Sequence, residues 1–150
     1  MIALKSLRVK RNVLIGYWVL MPVLFYFYLF LVSFNQQVTI QQLILQIPGL
    51  TLGLLLSFLM LFQAACLYFI SSQNEKNHFV EKRFLAFSLV QQILTGNIIG
   101  AALCFFYNRK IVAEKQPISR NTMFIFYFAI GFISLITVII LFIAMRTKGV

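Results

Sequence analysis

The chain has 150 residues, of which 61% are hydrophobic and only 11% are charged, whereas soluble domains carry about 25% charged residues. A soluble fold of this length cannot bury so much apolar surface, because small domains bury a limited fraction of their chain. The net charge of +10 comes from 13 Lys and Arg, which lie in short segments beside apolar runs and form no continuous basic face. We therefore predict a membrane protein that contacts anionic lipid headgroups and does not bind nucleic acid.

Four apolar runs are each long enough, at 1.5 Å per helical residue, to cross a hydrocarbon core of about 30 Å. They predict spans at 13–34, 47–70, 84–107 and 123–145. The predicted fold class is an all-α integral membrane protein, with four transmembrane helices in one small bundle and a single domain. The first run is too long for a signal peptide and no small-residue cleavage site follows it, so we predict an uncleaved span. Tyr17 and Trp18, near its start, are predicted to lie at the membrane interface.

The segment between the first two runs, residues 35–46, carries no charge. Thr39 is followed three residues later by Gln42, a capping box that predicts the start of a helix. Ile40, Leu43 and Ile44 then share one helical face. We predict a short helix lying in the membrane interface, on the extracytoplasmic side.

Small residues and amide side chains in the second and third runs are typical of helix contacts in lipid. Each run contains a GxxxG pair, and the third run has a polar centre. The predicted helix-packing or partner interface comprises Gly49, Gly53, Gln63, Gln91, Gln92, Gly96, Asn97 and Gly100. Packing within the chain, docking of a partner and a polar path for a substrate are three open interpretations of these residues.

The cations flank the runs and decide the predicted topology. Contact with anionic lipid is predicted for Lys5, Arg8, Lys10, Arg11, Lys82, Arg83, Arg109, Lys110, Arg146 and Lys148. Four full spans place nine basic residues on the side of the N-terminus and four on the other side, whereas a re-entrant run 84–107 places eleven against two. Cations favour the cytoplasmic side, so the N-terminus is predicted to be cytoplasmic in both cases.

Between these topologies we predict four spans, with both termini cytoplasmic. Run 84–107 contains no Pro, and a continuous helix satisfies every backbone group at membrane depth without help from other segments. The re-entrant topology, which the charge distribution favours, stays open as the alternative.

No Lys, Arg, Glu or His lies inside the four runs. Proton-coupled transport and catalysis within a membrane need titratable groups at depth, so we predict that the chain is not an enzyme and holds no metal or cofactor. His78, the only histidine, lies in a hydrophilic loop and is predicted to be solvated. Cys66 and Cys104 lie inside apolar runs and are predicted to act as buried apolar residues.

A short stretch at the end of the third run resembles the end of a span in GtrA-like proteins. The residues that carry this resemblance are Gly96-Asn97-Ile98-Ile99 and Phe105-Phe106-Tyr107-Asn108-Arg109-Lys110. GtrA-like proteins are small four-span proteins linked to the movement of lipid-carried sugars, and the resemblance implies such a role. The resemblance lies on the third run of this chain, which is not the span expected from the family, and the first run lacks the family's glycine-centred pattern. We therefore infer no membership.

Two classes of function follow from these features. The first is an accessory, regulatory or immunity-type subunit that binds another integral membrane protein, which the small size and the lack of charge at depth indicate. The alternative is a small oligomeric transporter, or a component of a lipid-linked-sugar flippase, that acts around Gln63, Gln91, Gln92 and Asn97. The predicted location is the cell (cytoplasmic) membrane, as a multi-pass protein that contacts a partner or further copies of itself.

Overall fold

A computed structural model describes residues 2–73, 78–112 and 118–148, which form helices and no strand. Three of these helices are long and apolar enough to cross a membrane. The prediction of an all-α membrane protein is thereby confirmed, whereas four spans are not. The described helices are α1 (Ile2–Gln36), α2 (Ile40–Gln46), α3 (Pro48–Gln73), α4 (Phe79–Leu94), α5 (Ile98–Asn108) and α6 (Arg120–Lys148).

Helix α3 is the centre of the bundle and packs against both other long helices. Gly53, near its start, lies against the ring of Phe25 in the second half of α1, so α1 and α3 run antiparallel. The rings of Phe62 and Phe132 lie 4.5 Å apart, while Pro48 and Arg146 line one cavity, so α6 also runs antiparallel to α3. The start of α1 and the end of α6 therefore lie at opposite ends of the bundle. We call the end that holds the start of α1 the base end.

The third apolar run is two helices, so the prediction of one continuous helix over 84–107 is wrong. Helix α4 begins at Phe79 and ends at Leu94, and α5 follows after a three-residue turn. The Tyr107 hydroxyl, near the end of α5, donates a hydrogen bond to Glu81 Oε1 in the first turn of α4. The two helices therefore form an antiparallel hairpin whose open end lies at the base end, beside Arg11 of α1.

The break in the run comes from a glycine that ends α4. Gly96 has φ +76°, a left-handed conformation that glycine adopts without steric cost. The Gly96 amide donates to the Ile93 carbonyl (3.0 Å) and the Asn97 amide to the Gln92 carbonyl (2.8 Å). This pair of bonds is a Schellman motif, which satisfies carbonyls left open at a helix end.

The next helix begins at once, because Asn97 is also the N-cap of α5. Its side-chain Oδ1 accepts a hydrogen bond from the Gly100 amide at 3.1 Å, which satisfies an N–H that a helix start leaves open. The spacing of Gly96 and Gly100 predicted a packing pair, and the lack of Pro predicted a continuous helix. A glycine followed directly by an N-cap residue was the signal that these predictions missed.

The hairpin reaches only halfway along the bundle. Asn97 Nδ2 at the tip lies 3.8 Å from Met60 Sδ, and Met60 is at the middle of the 26-residue α3. Helix α5, with 11 residues, is about 16 Å long and cannot cross a core of about 30 Å. Among the described residues, the base half of the bundle thus contains five helices, and the other half contains three long helices with α2.

The short helix predicted in the first loop is confirmed as α2. Gln42 N donates to Thr39 Oγ1 at 3.3 Å, and Thr39 N donates to Gln42 Oε1 at 3.1 Å, which completes the capping box. Leu43 is buried, while Leu45 is 85% exposed. Helix α2 packs on α1 and α3, and its position in a membrane interface stays a prediction.

Substitution of the turn glycine tests the hairpin. Gly96→Ala places an L-residue in the left-handed region at a cost of roughly 1–2 kcal/mol, so we expect a lower midpoint of thermal unfolding in detergent, followed by circular dichroism. Gly131→Ala in α6 is the matched control, because a Cβ at Gly131 meets nothing within 4 Å and Ala favours a helix. Equal changes in both variants would contradict the hairpin turn.

Candidate functional site

Three glutamine side chains meet where the tip of the hairpin contacts α3. Gln92 Nε2 donates to Gln63 Oε1 at 2.8 Å, and Gln63 Nε2 donates to Gln91 Oε1, also at 2.8 Å. All three side chains are buried. We call this arrangement the amide chain. It connects the last turn of α4 to α3 through two hydrogen bonds, each worth about 0.6–1.7 kcal/mol between membrane helices.

The amide chain ends at an acceptor that has no partner. Gln92 Oε1 is buried and accepts no hydrogen bond from any described residue. It lies beside Gly100, where an added Cβ would clash with it, so the glycine makes room for the amide. A buried polar atom without a partner costs about 1–3 kcal/mol, and a water or a ligand is a common explanation for one.

Asn97 joins α1, α3 and α5 at the tip. Besides the Gly100 amide, its Oδ1 accepts a hydrogen bond from the Tyr17 hydroxyl at 2.6 Å. Among the described residues, its Nδ2 has only the Met60 sulfur as a partner, at 3.8 Å, and sulfur is a weak acceptor. Asn97 therefore holds the tip in place and retains a hydrogen-bond donor of its own.

A cavity of about 220 Å³ lies at this tip, and we call it the tip cavity. Polar groups come from the hairpin and from Tyr17, whereas α1 and α3 otherwise contribute apolar side chains. The volume lies below the roughly 300–1,000 Å³ of typical small-molecule pockets, so it fits a molecule of few heavy atoms. The residues that line it are Tyr17, Met21, Leu56, Leu59, Met60, Gln91, Gln92, Thr95, Gly96 and Asn97.

The lining of the tip cavity contains no Asp, Glu, Lys, Arg or His. Across the described residues, no group of three or more His, Cys, Asp or Glu is placed to hold a metal ion. The chemistry available at the tip is therefore hydrogen bonding. Gln91 Nε2 and Asn97 Nδ2 are donors there, and Gln92 Oε1 is an acceptor.

The other predicted interface residues lie apart from the tip. Gly53 contacts the Phe25 ring of α1, whereas a Cβ at Gly49 would meet nothing within 4 Å. Only one member of this GxxxG pair therefore takes part in a close helix contact within the chain. Gly96, the first member of the second pair, forms the turn, and Gly100 packs against Gln92 inside the hairpin.

The cations gather at the base end. Lys82 Nζ donates to the Ile111 carbonyl at 3.1 Å, and the Arg83 guanidinium lies 4.8 Å above the Phe79 ring. The side chains of Lys5 and Lys148 lie outside those that the structure describes. Contact of these residues with lipid headgroups stays a prediction. Exposed or half-buried at the base end are Arg8, Lys10, Arg11, Lys82, Arg83, Arg109 and Lys110, while Arg146 is exposed at the opposite end.

A second polar group of side chains lies at the base of the hairpin, and we call His78, Glu81 and Tyr107 the base cluster. Glu81 is 2% exposed and engages the Tyr107 hydroxyl and, at 2.7 Å, His78 Nδ1. Glu81 was predicted to lie in the hydrophilic loop 71–83, but it is buried in the first turn of α4, and His78 is paired as well as partly solvated. The reason is that α4 begins five residues before the apolar run that was used to predict it.

Two polar residues of the tip, Tyr17 and Thr95, were not predicted as site residues. Tyr17 and Trp18 were assigned to the interface, but Tyr17 bonds Asn97 at half depth and Trp18 is fully buried. Thr95 lines the tip cavity while its hydroxyl bonds the Gln91 carbonyl at 3.0 Å. A signal existed for Thr95, because it precedes the Gly–Asn break, whereas the role of Tyr17 depends on a contact between residues 80 positions apart.

No family model, curated protein or solved structure matches this chain. The short resemblance to GtrA-like proteins thus gains no support from these comparisons.

Loss of the central amide tests the amide chain. Gln63→Leu removes both hydrogen bonds and leaves Gln91 Oε1 and Gln92 Nε2 without this partner, so we expect stability to fall by about 1–3 kcal/mol. Unfolding by sodium dodecyl sulfate in mixed micelles measures the change. Gln41→Leu on the exposed side of α2 is the control. A loss no larger than that of the control would show that the amide chain does not hold the tip.

Proposed function

We propose that the protein is a small transport protein that binds a small, neutral, hydrogen-bonding solute in the tip cavity and lets it cross the membrane. The observation that carries this proposal is the unpartnered acceptor Gln92 Oε1 beside an uncharged cavity, at the tip of a broken helix and at half the depth of the bundle. Substrate sites of many membrane transporters lie near the bilayer midplane, where discontinuous helices supply polar groups.

The lining of the tip cavity supports a neutral solute. An ion brought to this depth would lose its hydration at a cost of several kcal/mol, and no charged side chain lines the cavity to offset that cost. The amide side chains of Gln91, Gln92 and Asn97 line the cavity, and amides both donate and accept hydrogen bonds, so a polyol or an amide is the matching chemistry. The volume of about 220 Å³ favours such a solute over a lipid-linked sugar.

The half-depth hairpin supports a route through the chain that opens by movement of α4 and α5. Below the tip, α5 packs on α1, and α4 packs on α3 and α6, so the base half is filled by helices. On the other side of the tip, Met21 and Leu56 line the cavity, and the hairpin is absent. A solute would enter from the side without the hairpin and leave after the hairpin shifts.

Flux measurements in proteoliposomes test this function, with glycerol and urea as the solutes. Met21→Trp fills the tip cavity without removing any described hydrogen bond. We therefore expect permeability to the transported solute to fall about five- to tenfold, which corresponds to an increase of about 1–1.4 kcal/mol in the barrier to permeation. Stopped-flow light scattering reports vesicle swelling.

The matched control for this measurement is Val19→Trp, since Val19 is exposed on the same helix and does not line the tip cavity. Permeability equal to that of protein-free vesicles for both solutes would refute the proposed function. An equal loss in both Trp variants would assign the flux to a path outside the tip cavity.

For the topology we propose three spans and a re-entrant hairpin, with the base end in the cytoplasm. Among the residues whose backbone is described, nine Lys and Arg lie at the base end, from Lys5 to Arg120, and two lie at the opposite end. This asymmetry follows the positive-inside rule without a misplaced loop. In the proposed topology the C-terminal end of α6 lies outside the cytoplasm, whereas it lies inside in the four-span prediction.

Thiol labelling in intact cells tests the topology. In a chain whose own thiols are removed by Cys66→Ala and Cys104→Ala, a membrane-impermeant maleimide should label Thr147→Cys directly. It should label Lys110→Cys only after the cells are permeabilised. Direct labelling of Lys110→Cys, with Thr147→Cys labelled only after permeabilisation, would instead support four spans with the loop after α5 outside.

The accessory-subunit function predicted from the sequence stays a prediction. Most of the small and amide residues on which it rested contact other parts of the same chain, as Gly53, Gln63 and Gly100 do. Those contacts account for the residues without a partner protein, and for this reason we favour the solute site.

A further inference from the structure

We infer that the base cluster is a proton-binding site that holds the open end of the hairpin together while Glu81 is ionised. This inference goes beyond the proposed function, because it concerns how α4 and α5 are joined, whether or not a solute crosses. It rests on side chains at the base end, about one hairpin length from the tip cavity.

Glu81 connects the two ends of the hairpin with both of its carboxylate oxygens. Oε1 accepts from the Tyr107 hydroxyl in the last turn of α5, and Oε2 engages His78 Nδ1 at the start of α4. The carboxylate is 2% exposed, although it belongs to a residue type that is almost never buried without a partner. Hydrogen bonds to an ionised acceptor are about twice as strong as neutral ones.

Among the described residues, His78 is the ion-pair partner of Glu81. Helices α3 and α5, which pack against α4, contain no Asp, Glu, Lys, Arg or His in their described sequences. Arg120 begins α6 and is exposed, and Arg11 of α1 lies near the Tyr107 hydroxyl. Neither arginine forms an ion pair with Glu81; of the described residues, only His78 does.

The neighbouring cations on α4 have other contacts. Lys82 donates to the Ile111 carbonyl, and Arg83 lies over the Phe79 ring. Among the described residues, no permanently charged group within ion-pair distance thus holds Glu81 in its ionised form. Protonation of the Glu81 carboxylate replaces its charge-assisted hydrogen bonds by neutral ones, which are about half as strong.

The reactivity of a native thiol, Cys104, measures whether α4 and α5 stay packed together at the base end. Cys104 is fully buried and lies on the inward face of α5, one turn before Tyr107. If the base of the hairpin loosens, α5 separates from α4 first at this end, and Cys104 becomes reactive. Cys66 on α3 is buried outside the hairpin, so it reports on loss of the whole bundle.

The experiment measures the rate at which N-ethylmaleimide modifies Cys104 in membranes, in a Cys66→Ala background. Glu81→Gln imitates the protonated carboxyl, and Tyr107→Phe removes the hydroxyl donor while it keeps the ring. We expect each variant to raise the rate about tenfold, the size expected for one charge-assisted hydrogen bond. The reciprocal Cys104→Ala background keeps only Cys66, whose rate should not change.

The role of the proton is tested by lowering the pH from about 6 to about 3.5, a range that spans the protonation of an ordinary Glu carboxylate and lies below that of most ordinary His side chains. The ratio of the Cys104 rate to the Cys66 rate is compared, because both thiols respond alike to pH through their thiolate fraction. We expect the ratio to rise in the chain with Glu81 and to stay constant in Glu81→Gln.

Three outcomes would overturn the inference: a constant ratio with Glu81 present, an equal rise in Glu81→Gln, or an equal rise at Cys66 in the variants. Solute flux plays no part in these measurements. Failure of the proposed transport therefore leaves this inference standing, and failure of this inference leaves transport standing.

Discussion

Every peptide group placed at membrane depth must find a hydrogen-bond partner within the protein, and the turn at the hairpin tip depends on this constraint. Three residues end one helix and begin the next, so that the Gln92 and Ile93 carbonyls of α4 and the Gly100 amide of α5 are bonded inside the turn itself. These bonds reduce the number of backbone groups that other segments must cover at depth. The half-depth hairpin depends on a turn that satisfies much of its own backbone.

The two polar groups of the hairpin follow from that turn. Since the chain reverses at Gly96, the amides of the last turn of α4 face α3 at the midpoint of the bundle, and Asn97 meets Tyr17. The same reversal returns Tyr107 to the level of Glu81. A straight helix would have placed Tyr107 and Glu81 at opposite faces of the membrane, about 39 Å apart over 26 residues.

Long apolar runs and the capping box at Thr39 were sufficient to predict the membrane class, the three long helices and α2, because both depend on local sequence. The polar residues Gln63, Gln91, Gln92 and Asn97 were likewise recognisable, since amides are rare at depth. Their arrangement was not predictable in the same way. It depends on whether run 84–107 continues or reverses, and the composition of the run favours continuity while the Gly–Asn pair at its centre favours reversal. The burial of Glu81 depends in turn on that reversal.

The half-depth hairpin also gives the molecule a different width at each end. With the three long helices across a bilayer, one leaflet would surround five helices and the other only three with the short α2 at its rim. The chain then takes up more area in one leaflet than in the other, as a wedge does. Lipid packing around the chain therefore differs between the two leaflets. A change in membrane curvature would change the lateral pressure on the hairpin.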